Sequence, residues 1–141
     1  MVVVYIHMCN AKVVLIDVAL KGCGGSALEI SSESSESTVV ATRCEFANSR
    51  NGARVFGSLT SATFKNCVFN DNSSDGIHVG GATIHLHGDA TAVHSNGRFG
   101  IFARNSGKVL IHLPSHHNTS YNNREEDRKQ WTGGRITNVE D

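Results

Sequence analysis

The 141-residue chain has one proline, one tryptophan and two tyrosines, and its thirteen basic residues are balanced by thirteen acidic ones. The charge balance removes any whole-chain electrostatic argument for nucleic acid or an anionic membrane. The basic residues do not cluster beside stacked aromatics either, so no nucleic-acid partner is expected. The apolar N-terminal stretch MVVVYIHMCNAK lacks a basic leader and is shorter than a signal core or a membrane span. No targeting segment is read from it. Its abrupt start in strand-like sequence suits a piece of a longer protein or a mature form whose leader was removed, and the compartment stays open. The four cysteines, Cys9, Cys23, Cys44 and Cys67, lack the paired short spacings of a zinc site.

What the chain does have is fourteen glycines, abundant Ser, Asn and Thr, and apolar residues spaced two apart. That spacing indicates strands with frequent turns and excludes amphipathic helices. The strands also repeat. "CVFNDNSSDGIHVGG" (67–81) echoes "CEFANSRNGARVFG" (44–57): Cys67 and Phe69 lead to Asn72 and Gly76-Ile77-His78-Val79, as Cys44 and Phe46 lead to Asn48 and Gly52-Ala53-Arg54-Val55. Leu28-Glu29-Ile30 and Gly100-Ile101-Phe102-Ala103 close two further rows. The column Leu20, Phe46, Phe69, Val93 steps by 26, 23 and 24 residues, with Asn48, Asn72 and Asn96 as a second column. Each row opens with an apolar pair: Val13/Leu15, Val39/Ala41, Ala62/Phe64 and Ile84/Leu86. A fifth row is expected from Ile111/Leu113, because "IHLHGDATAVHSN" (84–96) overlays "IHLPSHHNTSYNN" (111–123) without a gap.

A two-dozen-residue period with three short strands per row is what a β-solenoid coil requires. Stacked coils place equivalent side chains in columns roughly 4.8 Å apart, apolar inside and Asn at the bends. The expectation is an all-β, single-domain parallel β-helix of about five to six coils over residues 1–141, with 124–141 forming a charged loop and a final partial coil. "REEDRKQW" (124–131) reads as the loop and "GGRITNV" (133–139) as a third strand. Cys44 and Cys67 share one inward column, as packed thiols or, given their expected separation, a disulfide. Cys23 and Cys9 are expected nearer the surface. Asn72 and Asn118 head glycosylation sequons, which matter only in a secreted chain.

Two outward columns carry candidate chemistry. His85 and His112 are expected to stack on the first strands, with His87, His116 and His117 at the following bends and Tyr121 nearby. Such a group could bond sugar hydroxyls or act as acid and base. His85, His112 and His116 are close enough for a transition metal, but no spacing demands one, and no metal is expected. On the third strands Arg54, His78 and Phe102 form a strip suited to an anionic sugar chain, with the ring stacking on a pyranose and Arg54 pairing with a carboxylate. Asp75 and Asp89 read as turn residues.

The Cys-x-Phe-x-x-Asn…Gly-Ile-x-Val motif resembles the right-handed parallel β-helix repeat of pectate-lyase-like proteins, over about residues 10–123. The resemblance implies the handedness, an extracellular or cell-surface setting, and glycan-directed chemistry. It does not extend to the catalytic signatures of such enzymes. No outward acidic cluster is present to hold calcium, so no cofactor is expected and calcium enters only for a lyase. The Asp-Asp pair of polygalacturonase-like members is missing, Arg135-Ile136-Thr137 has Thr in place of Lys, and the only proline, Pro114, is not in Asp-Pro-His. The reading that follows is a non-catalytic, carbohydrate- or protein-binding or structural module. The rival is a polysaccharide lyase or C5-epimerase acting on uronic-acid polymers, with His85, His112, His116 and Tyr121 as acid and base. A third outcome is end-to-end self-association through open strand edges at "VVVYIHM".

Overall fold

Apolar residues two apart, interrupted by Gly, Asn, Asp and Ser, favour short strands joined by tight left-handed corners. The computed structural model describes residues 4–7, 12–32, 35–112 and 119–140. In chain order the strands are β1 (Val4–His7), then β2 (Lys12–Ile16), β3 (Ala19–Lys21) and β4 (Leu28–Ser31), then β5 (Ser37–Thr42), β6 (Glu45–Ala47) and β7 (Ala53–Phe56). They continue as β8 (Thr60–Lys65), β9 (Val68–Asn70) and β10 (Ile77–Gly80), β11 (Thr83–His87), β12 (Ala92–His94) and β13 (Phe99–Arg104), β14 (Lys108–His112), β15 (Ser120–Tyr121), β16 (Glu126–Gln130) and β17 (Arg135–Val139). Every third strand joins the same sheet. The first sheet runs β2-β5-β8-β11-β14-β17, the second β3-β6-β9-β12-β15 and the third β1-β4-β7-β10-β13-β16, and all pairings are parallel. The chain is a β-solenoid of about five coils, as the repeat predicts.

The inward columns are apolar and almost fully buried: Ala41, Phe64, Leu86 and Ile111 from the first sheet, Leu20, Phe46, Phe69 and Val93 from the second, and Leu28, Ala53, Ile77 and Ile101 from the third. Phe46 stacks on Phe69 with ring centroids 5.0 Å apart. Phe64 meets both edge-on, an arrangement that ring quadrupoles favour. Two corner columns turn the chain through positive φ. The corner after the first sheet is Asp17, Arg43, Asn66 and Gly88, and the corner after the second is Gly22, Asn48, Asp71, Ser95 and Asn122.

The bend after the second sheet is held by an amide ladder. Asn72 Oδ1 accepts from the Ser49 amide, Asn96 Oδ1 from Asn72 N and Asn123 Oδ1 from Asn96 N. Each Nδ2 in turn donates to the carbonyl of a second-sheet residue one coil down, Asn72 to Phe46, Asn96 to Phe69 and Asn123 to Val93. The repeat glycines leave room for the ladder and the chain around it: a Cβ on Gly76 would lie 2.5 Å from Val93 Cγ1 and 2.7 Å from Asn96 Nδ2, and one on Gly100 2.3 Å from Ser120 Oγ and 2.4 Å from Asn123 Nδ2.

Several expectations are corrected. Asn48 is not in the ladder; it lies two residues past Phe46, against three for Asn72 and Asn96, so it takes the left-handed corner and Ser49 takes the ladder position. In the fifth coil Leu86 pairs with Ile111 and His85 with Leu110, while Val93 still pairs with Ser120. The ungapped overlay therefore fails at its front: the offset is 25 residues at Leu86 and 27 at Val93, and the apolar pair is Val109/Ile111. The charge run is not a loop, since Glu126–Gln130 pairs with β13 in the third sheet, and Arg135–Val139 belongs to the first sheet. Cys23 is buried, as are Cys44 and Cys67, and Cys44 and Cys67 are free thiols. Burial pushes the Cys67 thiol up to about 11. The Asn72 sequon is closed off by burial of that side chain. Cys9, His116, His117 and the Asn118 sequon lie outside the described residues.

Around β16 and β17 several inward positions turn polar, although Ile136 continues the Val109 column and packs on the core. Arg128 pairs in register with Ile101, Gln130 with Ala103, and Asn138 with Ile111, and Arg128 Nη1 donates to Asn138 Oδ1 at 3.0 Å.

The ladder predicts opposite outcomes for two neighbouring asparagines. Asn72→Ala strips partners from Ser49 N, Phe46 O and Asn96 Oδ1 and should cost about 2–3 kcal/mol. Asn48→Gly relieves a positive φ and should be neutral or stabilising by up to about 1 kcal/mol. Urea unfolding of both variants reads the difference.

Candidate functional site

The third sheet places Arg54, His78 and Phe102 side by side on its outer face, as the repeat register predicts. Glu29 and Lys129 extend the column at either end. The strip is not a bare aromatic surface. Phe102 is only 6% exposed, because the Arg98 guanidinium lies 5.2 Å from its centroid and 4.6 Å from that of Phe99. The ring expected to meet a sugar face is thus covered by an arginine. His78 is wedged between Phe56 and Phe102, with centroids 5.3 and 4.9 Å away.

Beneath His78 lies Asp75, fully buried. It sits in a second polar column: Asn51 Oδ1 accepts from Asp75 N, and Asp75 Oδ1 accepts from Phe99 N. Arg98 clamps the carboxylate with Nε and Nη2 at 3.0 and 2.9 Å. His78 Nδ1 lies 3.4 Å from Asp75 Oδ2, and its buried Nε2 has no partner. Burial lowers the His78 pKa to about 4, the arginines at 104, 54 and 98 add to the fall, and Asp75 opposes it. The imidazole is therefore neutral at pH 7.

Two concavities flank this column and share Arg54. The larger, about 500 Å³, lies among Ser31, Arg54, Phe56, Gly80 and Arg104. The other, about 380 Å³, is lined by Glu29, Arg50, Arg54, His78 and Arg98 among others. Phe56 divides them. Its ring can lie across the neighbouring strand because Gly80 has no Cβ, which would come within 2.4 Å of the ring. Arg54 sits 4.0 Å over one side of that ring and Arg104 5.5 Å from its centroid. Arg54 is paired with Glu29 at 2.9 Å and Arg98 with Asp75, whereas the buried Nε of Arg104 has no acceptor.

The histidines occupy a different face. His85 and His87 project from β11 and His112 from β14 in the first sheet. His112 is two residues out of the register expected with His85. It stacks instead on His87, with centroids 4.0 Å apart, and still brings Nε2 to 2.9 Å from His85 Nδ1. His87 is the last residue of its strand, not part of a bend. Tyr121 does not join them. It lies in the second sheet, stacked on His94 at 5.0 Å, so the acid–base grouping of His85, His112 and Tyr121 is not assembled.

The family model for the right-handed β-helix region matches residues 3–137. The chain belongs to that family. No curated protein and no solved structure matches it. No helix among the described residues is long and apolar enough to cross a membrane. In this β-helix the sequence reading missed Asp75, Arg98, Arg104 and Phe56 as neighbours of His78. A usable signal was present for Asp75: it stands immediately before Gly76 as Asn51 does before Gly52, which places both in one column.

A histidine held neutral by burial contributes stability that is present above its unfolded pKa near 6.5 and is lost as pH falls toward its folded value of about 4. Across that window His78 should steepen the loss of stability by about 1.4 kcal/mol per pH unit. His78→Phe, which keeps a ring between Phe56 and Phe102, should remove about one proton from the slope. Denaturant midpoints measured from pH 7.5 to 4 for both proteins check this, and equal slopes would refute it.

Proposed function

We propose that this β-helix is a non-catalytic binding module for a uronate-bearing polysaccharide, held across the coils on the outer face of the third sheet. The observation that carries this reading is the pair Arg54 and Arg104 in the wall of the larger concavity, a lining that holds no acidic residue. A planar guanidinium recognises a carboxylate through paired hydrogen bonds. Arg54 is shared by both concavities and, like Arg104, lies against the Phe56 ring.

Charge supports the same ligand class. The lining of the two concavities carries four arginines, at 50, 54, 98 and 104, and one acidic residue, Glu29. The buried Asp75 is occupied by Arg98. Column geometry supports a chain rather than a small anion, since Arg50 and Arg54 belong to the β7 coil and Arg98 and Arg104 to the β13 coil, with the β10 coil between them, so that the donors are spread along the solenoid axis. The binding reading is favoured over hydrolysis because that reaction needs two positioned carboxyl groups, and the one carboxylate in these walls is tied to Arg54. His78 Nε2 is also covered, which suits a positioning role better than proton transfer.

Isothermal titration with polygalacturonate and alginate at low ionic strength tests the reading, with a neutral glucan as control. Affinity for one uronate polymer should fall roughly tenfold or more in Arg104→Gln and in Arg54→Ala, and should weaken with added salt. Equal affinity in both variants, or no binding of either polymer, would exclude this face as the site.

A further inference from the structure

The histidine face carries a separate inference. His85, His87 and His112 each offer a ring nitrogen, and the three atoms lie within 4.8 Å of one another. The rings are half-buried, come from two adjacent strands and are packed as a stack, with His85 to His87 centroids at 6.3 Å and His85 to His112 at 5.2 Å. We infer that these three imidazoles form a binding site for a divalent transition-metal ion, zinc in the first instance, with the fourth coordination position open to solvent.

The geometry is near what such an ion needs. Zinc–nitrogen bonds of about 2.0–2.1 Å in a tetrahedral site put ligand nitrogens about 3.4 Å apart. His85 Nδ1 and His112 Nε2 already approach to 2.9 Å. His87 lies beside His112 with the two rings within 9° of parallel, so closing the site requires turning rings about χ2, a broad torsion for histidine. Solvent on one side leaves room for that turn. The 2.9 Å contact also defines the starting state: one nitrogen donates and the other accepts. For both to ligate, the donating ring must move its proton to its other nitrogen, a tautomer change with no net proton release.

Electrostatics is compatible with an arriving cation. Burial is the larger cause and His112 the second cause of a lowered His85 pKa, and it is the neutral imidazole that binds metal. The opposing charge is Lys65, in register with His87 but exposed at the strand end. Imidazole-only ligation selects zinc, copper or nickel over calcium or magnesium, which demand oxygen. The site is also distinct from the arginine face, since it lies on another sheet and shares no residue with either concavity. His85 and His112 were legible as neighbours from the repeat; His87 completes the trio in the place where His116 was expected.

Titration of the metal-free chain with zinc sulfate, and with cobalt(II) as a visible-absorbing substitute, tests the site. The expected result is one zinc per chain and cobalt bands of a four-coordinate ion. His87→Gln and His112→Gln, each checked for an unchanged melting temperature without metal, should each weaken binding by roughly 100-fold or more, because even outer-shell partners of a metal-bound histidine are worth 10–100-fold. Binding that persists in both variants but is lost in His116→Ala/His117→Ala would place the ion elsewhere and overturn the inference. Failure of the native chain to bind zinc at millimolar concentration would overturn it equally.

Discussion

Nearly every polar backbone group of a coil finds its partner in the coil above or below, and the rest of this structure depends on keeping that stack in register. Parallel strands bond only to neighbours one coil away, so a coil that drifts by one residue turns its apolar side chains to solvent. The Asn72–Asn96–Asn123 ladder opposes drift at the bend after the second sheet. Each amide bonds to the bend of the neighbouring coil and to the preceding strand's carbonyl, and the glycines at 76 and 100 leave room for it. The three phenylalanines of the core add shape complementarity to that register, but the ladder sets it.

Register then determines which outward side chains become neighbours. In a stack of coils, residues two dozen apart in the chain are adjacent in space, so a surface is written down columns. The third-sheet column brings a cation, an imidazole and a ring together. The column of Asn51 and Asp75 supplies the carboxylate under them. Asp75 is a buried charge stabilised by two guanidinium bonds and one backbone amide, the kind of full pairing such a group needs to be retained in an apolar interior. Its effect is to fix Arg98 over Phe102 and Phe99, while Arg50, Arg54 and Arg104 supply the other cations in the walls of the concavities.

The two polar faces differ in character for a simple reason. On the third sheet, arginines fold back over aromatic rings and create walled concavities. On the first sheet, the histidines are short and project from adjacent strands, so they stack on one another instead. One arrangement suits an extended anionic chain, the other a single small cation. Both use the same structural device, a repeated outward position occupied in successive coils by residues of compatible chemistry.

The sequence alone determined the coil: its period, its three strands, its apolar columns, and the alignment of Arg54, His78 and Phe102, because in-register parallel stacking converts periodicity directly into position. It also showed that His85 and His112 share a face. Tertiary structure decided what periodicity cannot express. Asn48 takes the corner and Ser49 the ladder position because in each coil the corner stands two residues past the core residue and the ladder three, a difference of one that the shared asparagine hides. His112 faces His87 because two extra residues fall after β14 and not before it, a placement that an ungapped overlay hides. A charged stretch became β16 because edge pairing with β13 outweighs its weak strand propensity. Whether Phe102 is open, whether Asp75 is paired and whether Arg104 has an acceptor depend on side-chain direction across coils, and that direction is set by packing neighbours distant in the chain rather than by local sequence.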